Sequence, residues 1–455
     1  MTPPLTLTQR VARYAVATTS VALPDAVKER ASLVIFDEIA CAYFGARSLA
    51  GDMSARYAAQ LAGPAEARIY ATGMRVAAVN AALANGAAGH GEEVDGAHVV
   101  GGHPGASIVH AAVAMAERQR APGAELLNAV VLGYDIGVRV VESCGKLFGV
   151  KNRFGLNSDF LYTIGAASAA SRLLGLDAAR HAHAMALSTF QSNALCAFYA
   201  EKRHISKSLC NGQFASSAVG AALMAATGLE GHEDILGAPY GVLHAWGVDG
   251  GADILGRALG DRFAIMGANF KMLNAGYPIH APVEAAMTLV AEHGIALENI
   301  GSVRIGMPGH ALKVVDGRDM HNICVQDMLT AALVSGGLRL RESPFPGVLA
   351  NPSFARLRPN VTAHADADLD RDQPEGRGAI VTITLHDGRT LSRRVEHPRG
   401  HSLRGGLTWE DLAHKWQQGL PGYDIDRMIA TAQRLEQLDD VRELLDTFVP
   451  TAVEA

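Results

Sequence analysis

The sequence predicts a mainly α-helical protein with a large all-helical domain and a smaller α+β domain. Apolar runs recur at helical spacing from residue 23 to about residue 227, and they occupy more than one face, which is typical of helices inside a bundle. Near Phe270 the pattern changes to short alternating runs, and the helical pattern returns after residue 400. At 455 residues the chain is longer than one core normally serves.

These changes of pattern define the predicted domains. The all-helical domain covers residues 1–267 and 401–455, so it is discontinuous, and the α+β domain covers residues 268–400. We expect a helix to begin after Thr408, whose hydroxyl can cap it. In the N-terminal part we expect helices near residues 76–88, 107–118, 125–144, 159–174, 178–188 and 212–226.

The predicted strands lie in the α+β domain. Residues 302–307 and 380–385 alternate in the way that half-buried strands do. A third alternating run, at 390–395, follows Asp387-Gly388. Asp-Gly between two such runs predicts a hairpin whose tight turn has positive φ at both central residues.

Composition excludes several classes of partner. The net charge is −6 and basic residues form no long run, so we expect neither nucleic acid nor an anionic membrane as a partner. Five cysteines without a CxxC pair predict neither a disulfide framework nor a thiolate metal site. The N-terminus has no signal-like segment and no stretch of about 20 apolar residues follows, which together predict a cytoplasmic protein.

A glycine-rich loop between residues 85 and 105 concentrates histidines and acids. A neutral imidazole can accept a proton there, and a neighbouring carboxylate can fix its tautomer. His103 is the best candidate for such a base, since Pro104 and Gly105 restrict the backbone just before a helix. The alternative is that His103 only caps this helix and that the acids are solvated. The titratable residues of the loop are His90, Glu92, Glu93, Asp95, His98 and His103.

A metal site in this loop is a second interpretation. His90 and Glu93 are three residues apart, with Asp95 and His98 close by, and such a set can bind Zn²⁺ or Mn²⁺. The loop contains no complete signature such as HExxH. We therefore predict no metal as the first interpretation.

Two further segments carry candidate binding residues. Lys202, Arg203, His204 and Lys207 precede a helix rich in small residues, which favours a carboxylate site, although a solvated turn would look the same. Lys271, Tyr277 and His280 lie at the inferred domain junction, where clefts commonly form. Lys271 could hold an anion while Tyr277 and His280 donate protons; the alternative is an interdomain linker with a buried tyrosine.

Motifs for common phosphate cofactors and for hydrolases are absent from the sequence. It has no GxGxxG after a strand, no GxxxxGK[ST] and no GxSxG elbow. Dinucleotide binding, P-loop hydrolysis and the α/β-hydrolase mechanism are therefore disfavoured.

In their order along the chain, these segments resemble the MmgE/PrpD family, which includes dehydratases, decarboxylases and an epimerase. The resemblance covers nearly the whole chain. It implies a small lid domain over the helical one, a homodimer, no metal or organic cofactor, and small di- or tricarboxylates as substrates. The matching positions are Asp37 with Gly45, Asn85-Gly86 with His90, His103-Pro104-Gly105, residues 165–176, Lys207 before Gly212, Lys271, His280, Ala285-Ala286, residues 326–336 and Lys415.

The chain also departs from the family pattern. The dehydratase and decarboxylase branches resemble Asp-Phe-Asp-Asp-Thr where this chain has Glu93-Val94-Asp95-Gly96-Ala97. A second active-site histidine is expected near Leu156, Lys-x-x-His becomes Lys207-Ser208-Leu209-Cys210, and Tyr277 replaces a histidine after the second lysine. Both lysines that hold anions are kept.

The resemblance implies proton removal at a carbon next to a carboxylate. We expect His103 as the base, oriented by Glu93 or Asp95, and Tyr277 or Lys207 as the returning acid. Lys207, Lys271, His98 and His280 are the expected substrate-binding residues. A dehydratase-like lyase is the first expectation, and an epimerase or isomerase of a dicarboxylate is the alternative. A metal-dependent hydrolase and a non-catalytic carboxylate-binding protein are further alternatives.

Overall fold

The computed structural model describes residues 4–70, 72–191, 193–201, 205–337, 340, 346–372 and 376–450, and this part of the chain is mainly helical, as predicted. The helices up to residue 256 are α1 (Leu7–Ala17), α2 (Asp25–Gly45), α3 (Leu49–Leu61), α4 (Ala78–Gly89), α5 (Pro104–Gln119), α6 (Gly123–Ser143), α7 (Lys146–Phe154), α8 (Tyr162–Leu173), α9 (Ala178–Ser188), α10 (Ile205–Ala226), α11 (Val242–Trp246) and α12 (Gly251–Gly256).

The remaining helices are α13 (His280–His293), α14 (Gly309–Val315), α15 (Val325–Ser335), α16 (Pro346–Leu349), α17 (Pro352–Leu357), α18 (Ala367–Asp372), α19 (Trp409–Gly419), α20 (Ile425–Gln433) and α21 (Arg442–Leu445). The strands are β1 (Ala67–Arg68), β2 (Arg75–Val76), β3 (Ala97–His98), β4 (Ala268–Asn269), β5 (Ile300–Met307), β6 (Val361–Ala365), β7 (Ala379–Leu385) and β8 (Thr390–Val395).

The predicted helices are present, with ends that differ by a few residues. Helix α5 begins at Pro104, because proline is favoured in a first turn, where its missing N–H has no role. The helix predicted at 159–174 begins as a 3-10 turn, Ser158–Leu161. The helix predicted at 212–226 begins earlier, at Ile205. Lys202, Arg203 and His204 lie outside the described residues.

Glycines let α4 and α10 cross with their backbones in contact. A Cβ on Gly212 would lie 2.2 Å from the carbonyl oxygen of Leu83, and a Cβ on Gly86 would lie 3.0 Å from the Cα of Gly212. Only glycine permits this approach. The crossing places the start of α10 beside the segment that follows α4, where the Ser208 hydroxyl donates to the His90 carbonyl over 3.3 Å.

Two large apolar cores and one small one stabilise the described part of the chain. The first contains Phe36 of α2 and also Trp416 and Met428 from the C-terminal helices, so residues from both ends of the chain pack together. The second lies between the four-stranded sheet and α13 and α15, and contains Ile305 and Met328. The boundaries of the two predicted domains stay a prediction.

Helix α19 begins as the sequence predicts. The Thr408 hydroxyl accepts from the Asp411 N–H, and the Asp411 carboxylate accepts from the Thr408 N–H. The helix then directs two buried side chains at α2. Lys415 Nζ donates to Asp37 Oδ1 over 2.7 Å, and Trp416 Nε1 donates to the same oxygen over 2.8 Å.

The larger sheet has the strand order β6-β5-β7-β8. Strands β5 and β6 are parallel, and the other pairs are antiparallel. The predicted hairpin joins β7 and β8, but its turn is not the predicted one: Gly388 has φ 88°, whereas Asp387 is not among the residues with positive φ. The Gly388 N–H donates to the Leu385 carbonyl, and the Leu385 N–H donates to the Arg389 carbonyl. This pattern fits a type I turn followed by a left-handed glycine.

A short antiparallel pair joins the glycine-rich loop to the segment before Lys271. Ala97 of β3 pairs with Asn269 of β4, and His98 pairs with Ala268. This pairing brings Lys271, which is distant in sequence, next to the loop. Within the described part of the chain, no helix combines the length and apolar character that crossing a membrane requires.

Candidate active site

The glycine-rich loop folds inward, so that Glu93 and Asp95 are buried, while Glu92 is partly exposed. Glu93 and Asp95 are 4% and 0% exposed. Glu93 has φ 54°, a left-handed conformation that is uncommon for a residue with a side chain. The Glu93 N–H donates to the His90 carbonyl over 3.2 Å, which closes a turn just after α4. The interpretation of Glu93 and Asp95 as solvated is therefore wrong.

Asp95 contacts two imidazole rings. Its Oδ2 lies 3.0 Å from His103 Nδ1, and its oxygens lie 3.0 and 2.9 Å from His90 Nδ1. His103 Nδ1 also donates to the Gly96 carbonyl over 2.9 Å. Both partners of His103 Nδ1 are acceptors, so this nitrogen carries the hydrogen and Nε2 of the neutral ring carries a lone pair. None of the residues that the structure describes makes a hydrogen bond with Nε2.

Glu93 contacts two lysines that are remote in sequence. Lys207 Nζ donates to Glu93 Oε1 over 3.0 Å, while Lys271 Nζ donates to Glu93 Oε2 over 3.1 Å and to its carbonyl oxygen over 2.8 Å. His90 Nε2 also lies 3.1 Å from Glu93 Oε1. Lys271 Nζ lies 3.7 Å from Asp95 Oδ1, which links this group to the histidines. We call His90, Glu93, Asp95, His103, Lys207 and Lys271 the charged cluster.

The two histidines of the charged cluster have opposite proton affinities. Burial lowers the pKa of His103, and Lys207 and His90 lower it further, while Asp95 acts in the opposite direction. Burial also opposes protonation of His90, but Asp95 and Glu93 outweigh this effect and raise the pKa of His90. These directions favour the protonated form of His90 and the neutral, basic form of His103.

The acids of the charged cluster stay ionised despite their burial. Desolvation alone would raise the pKa of Glu93, but Lys207, His90 and Lys271 hold it well below the usual value. Asp95 behaves in the same way, because His103, His90 and Lys271 lower the pKa of its carboxyl more than burial raises it. Two carboxylates therefore balance most of the positive charge of the cluster.

Two further buried acids support the loop from α2. Glu38 Oε1 accepts from the Gly96 N–H over 3.1 Å, next to the carbonyl that orients His103. Burial, with Asp95 and Asp37, raises the pKa of Glu38 well above its usual value, which favours the neutral carboxyl. Lys415, which is paired with Asp37, donates to the Val94 carbonyl over 3.4 Å.

The backbone of His103 is held by Asp159. Its Oδ1 accepts from the His103 N–H over 3.2 Å, and its Oδ2 accepts from Asn157 Nδ2 over 3.1 Å. A Cβ on Gly102, which has φ 80°, would lie 2.1 Å from Asp159 Oδ1. Glycine is therefore required at position 102 both for its backbone conformation and for this close approach. His103 occupies the N-cap position of α5 but makes no side-chain cap hydrogen bond, so its imidazole does not serve as a cap.

The charged cluster borders a cavity of about 240 Å³. The cavity is lined by residues of the loop, of α7 and of the segments around residues 277, 377 and 401. Among the predicted site residues described by the structure, those that line it are Glu93, His98, His103, Lys207 and Tyr277.

Three predicted substrate-binding residues have geometry that opposes this role. Both ring nitrogens of His98 are used by the backbone: Nε2 lies 2.8 Å from the Ala264 carbonyl oxygen, and Nδ1 accepts from the Val100 N–H. Burial lowers the pKa of His98 to about 4, so it stays neutral. Lys271 is fully buried behind Glu93, and neither Lys271 nor His280 is among the described residues that line the cavity. His280 Nε2 lies 3.3 Å from the Ala275 carbonyl oxygen, and burial lowers its pKa to about 3.

Tyr277 keeps a polar atom available. Its ring lines the cavity, and its buried hydroxyl makes no hydrogen bond with the described residues. Burial raises the pKa of this phenol, so it remains protonated at any physiological pH. Tyr277 can therefore donate a proton.

Sequence reasoning missed several residues of the cavity wall. Asp159 follows Asn157-Ser158 in the chain, and nothing in that run indicates that it bonds the backbone of the candidate base. The other missed residues are basic or aromatic and come from four separate segments: Lys146, Lys151, Tyr199, Arg377, His397 and His401. Of these residues, only Lys146 could have been found from the sequence, because it is a basic residue at the start of a helix.

The structure brings together a set of potential metal ligands that differs from the predicted set. His90, Asp95 and His103 have potential ligand atoms within 4.8 Å of one another. However, these atoms already hydrogen-bond one another, and Lys271 Nζ lies 3.7 Å from Asp95. An ammonium group at this distance repels a divalent cation, so the geometry favours a proton-transfer site over a metal site.

Comparison with known proteins identifies the family. Residues 9–253 match the MmgE/PrpD N-terminal domain, and residues 274–438 match the MmgE/PrpD C-terminal domain. The chain therefore belongs to the MmgE/PrpD family, which confirms the resemblance seen in the sequence.

The chain is also similar to several named enzymes. The chain is 28% identical over 317 residues to 2-methylcitrate dehydratase from Cupriavidus necator, a match that covers 64% of this chain and 63% of that protein, less than two thirds of its length. It is 24% identical over 471 aligned residues to cis-aconitate decarboxylase from Aspergillus terreus, covering 93% of this chain and 92% of the relative. The human cis-aconitate decarboxylase is 24% identical, with 92% and 89% covered.

Proposed function

We propose that the protein is a dehydratase-like lyase that removes a proton from a carbon next to a carboxylate of a small di- or tricarboxylate. The observation that carries this proposal is His103, whose Nδ1 is engaged by Asp95 and Gly96 while Nε2 remains available at the cavity wall. A ring held in this way is a general base with a fixed tautomer. The names of the relatives, a dehydratase and two decarboxylases, support a lyase.

In the first step, His103 Nε2 takes the proton from the substrate carbon. Asp95 stabilises the imidazolium that forms. The electron pair left on carbon spreads onto the adjacent carboxylate, whose added negative charge is stabilised by Lys207 at the cavity wall. Preorganised charge of this kind can contribute several kcal/mol, on the order of 3 kcal/mol for one donor.

The two lysines have different roles in this proposal. Lys207 lines the cavity and contacts Glu93, so it can reach both the substrate and the cluster. Lys271 is buried and bonded to Glu93, so it positions Glu93 and lowers the pKa of that carboxyl. This assignment replaces the direct substrate contact that we expected for Lys271 from the sequence.

In the second step, elimination expels a hydroxyl group from the neighbouring carbon. The C–O bond breaks, the electron pair of the carbanion forms the double bond, and the leaving oxygen takes a proton from the Tyr277 hydroxyl to give water. The raised pKa of Tyr277 keeps this hydroxyl protonated before the step. Exchange with solvent then returns the proton from His103 to Tyr277.

The same residues permit an epimerase of a dicarboxylate, which is the second candidate. Tyr277 or Lys207 would then return a proton to the opposite face of the carbanion, and no group would leave. The observation that favours it is the unpaired Tyr277 hydroxyl among the described residues, together with Leu156 in the place of the family's second histidine.

We also propose that the part from 268 to 400 acts as a lid, that the protein forms a homodimer, and that it needs no metal or organic cofactor. The lid is supported by the cavity wall, to which both Tyr277 and Arg377 contribute. The homodimer and the absence of an organic cofactor rest on the family resemblance alone, whereas the absence of a metal is also supported by Lys271 Nζ, 3.7 Å from Asp95.

Incubation of a panel of di- and tricarboxylates in D₂O, followed by ¹H NMR, tests the function. A lyase gives an unsaturated product, and an epimerase gives deuterium at the reacting carbon with inversion. Binding without exchange for every compound indicates a non-catalytic carboxylate-binding protein. Loss of activity with a chelator contradicts the cofactor-free mechanism.

A further inference from the structure

We propose that Lys151 and Arg377 form a second anion-binding subsite, which takes a carboxylate remote from the reacting carbon. This inference rests on the proposed function and deepens it, since it states which carboxylates the cavity selects. Both residues line the cavity, and neither belongs to the charged cluster. The class of ligand is a small molecule with a carboxylate at each of two positions along the cavity.

Lys151 is held by an aromatic ring that lines the same cavity. Its Nζ lies 4.3 Å from the ring centroid of Tyr199, a distance typical of a cation–π contact. Tyr199 and Lys207 line the same cavity, so the ring that contacts Lys151 belongs to the wall that also carries Lys207.

Arg377 is held by side chains from two helices. Its guanidinium carbon lies 4.9 Å from the ring centroid of Phe148 in α7, and its Nη1 lies 2.8 Å from His310 Nε2 in α14. The rings of Phe148 and His310 are themselves 4.4 Å apart. Such contacts limit the conformations of a long side chain before a ligand arrives, which reduces the entropy cost of binding.

The electrostatics of this subsite differ from those of Lys207. The charge of Lys207 is balanced by Glu93 at 3.0 Å. Lys151 has no ion pair with a described residue; burial, Arg377 and Lys313 lower its pKa, with Cys196 acting against them. The acids among the described cavity-lining residues are Glu93 and Asp159, which already contact Lys207 and the His103 N–H. A bound carboxylate would relieve the repulsion between Lys151 and Arg377.

The two residues also come from different parts of the fold. Lys151 lies in α7, next to the first core, and Arg377 lies just before β7 of the sheet. A remote carboxylate that contacts both would join the two parts across the cavity. The subsite would therefore contribute to affinity mainly for ligands long enough to reach it.

Binding measurements on the intact protein test the subsite, with butyrate, glutarate and tricarballylate as probes of increasing carboxylate number. We expect Lys151→Gln and Arg377→Gln each to weaken the binding of tricarballylate by about fivefold or more, as loss of one charged contact does. The affinity for butyrate, which has no remote carboxylate, should change less than about twofold. Two variants are used so that the result does not depend on one of them folding well.

Lys313→Gln is the matched control. It removes the same charge from an exposed residue next to Val314, which lines the cavity, while Lys313 does not. The proposal would be overturned if the two test variants weakened the binding of butyrate and tricarballylate equally, or weakened neither. It would also be overturned if Lys313→Gln weakened the binding of tricarballylate as much as the test variants do. Because the assay needs no turnover, failure of the lyase proposal in D₂O leaves this result interpretable.

Discussion

Asp95 Oδ2 lies 3.0 Å from His103 Nδ1, and the same carboxylate lies within 3.0 Å of His90 Nδ1. One buried acid thus contacts two imidazoles, whose ring centroids are 4.4 Å apart. The pKa of His90 is raised and that of His103 is lowered, so the first ring is favoured as the cation and the second as the base. The proposed chemistry depends on this asymmetry.

Asp95→Asn should inactivate the protein while leaving it able to bind. The amide cannot stabilise the His103 imidazolium, so kcat for the reaction found in the D₂O panel should fall on the order of 10²–10⁴-fold. Affinity for tricarballylate should change little, because Asp95 does not line the cavity. Asp327→Asn is the control, since Asp327 lies 2.7 Å from His321 in an acid–histidine pair outside the charged cluster. A kcat for Asp95→Asn close to the wild-type value would contradict the role of Asp95.

The pH dependence of kcat/KM should reveal His103. Activity requires the neutral ring, so it is lost as the pH falls through the pKa of His103, which lies below its ordinary value of 6.5. Lys207 is one cause of that lowering, so Lys207→Gln should move the acid limb to higher pH as well as reduce the rate. A limb that stays at the same pH in this variant would show that another group titrates.

Glu93→Gln should destabilise the fold. The change leaves Lys207 and Lys271 buried beside a neutral amide, and breaking a buried ion pair costs about 3–5 kcal/mol in the free energy of unfolding. Denaturant titration measures this quantity. The exposed Glu233 provides the control, since Glu233→Gln should stay within about 0.5 kcal/mol of the wild type. Similar stability of the two variants would contradict the role of Glu93 in the charged cluster.

Gly102→Ala should lower the free energy of unfolding by more than the conformational penalty of a left-handed alanine. That penalty is about 1–2 kcal/mol and is isolated by Gly175→Ala, because Gly175 has φ 66° and no atom within 4 Å of a Cβ. At Gly102 the Cβ would also displace Asp159, and with it the backbone of His103. We expect a larger loss of unfolding free energy and a lower kcat for Gly102→Ala than for Gly175→Ala. Equal losses of unfolding free energy in the two variants, with kcat unchanged in Gly102→Ala, would contradict this role of Gly102.

Sequence reasoning reached the charged cluster but not its internal geometry. The short motifs around His103, Glu93, Lys207 and Lys271 were sufficient to name residues that the structure brings together. The sequence did not show that Lys271 lies behind Glu93. This position depends on the pairing of β3 with β4, which joins distant segments.

Local sequence was least informative where a side chain hydrogen-bonds the backbone of another segment. His98 lies in the same loop as His103, but its ring nitrogens bond the backbone of residues 264 and 100. Likewise, Asp387-Gly388 predicted the hairpin correctly but not the turn, because only the glycine takes positive φ. The cavity residues Lys151 and Arg377 were missed because they lie in distant segments, which meet where Phe148 of α7 contacts His310 and Arg377.

The most direct measurement is the rate of deuterium incorporation at the reacting carbon in His103→Asn, compared with wild type and with His401→Asn. His401 also lines the cavity, and its Nδ1 accepts from the Leu403 N–H, a bond that an asparagine can keep. We predict that exchange is abolished in His103→Asn, that tricarballylate still binds, and that His401→Asn retains exchange. Full exchange in His103→Asn would contradict the assignment of His103 as the base.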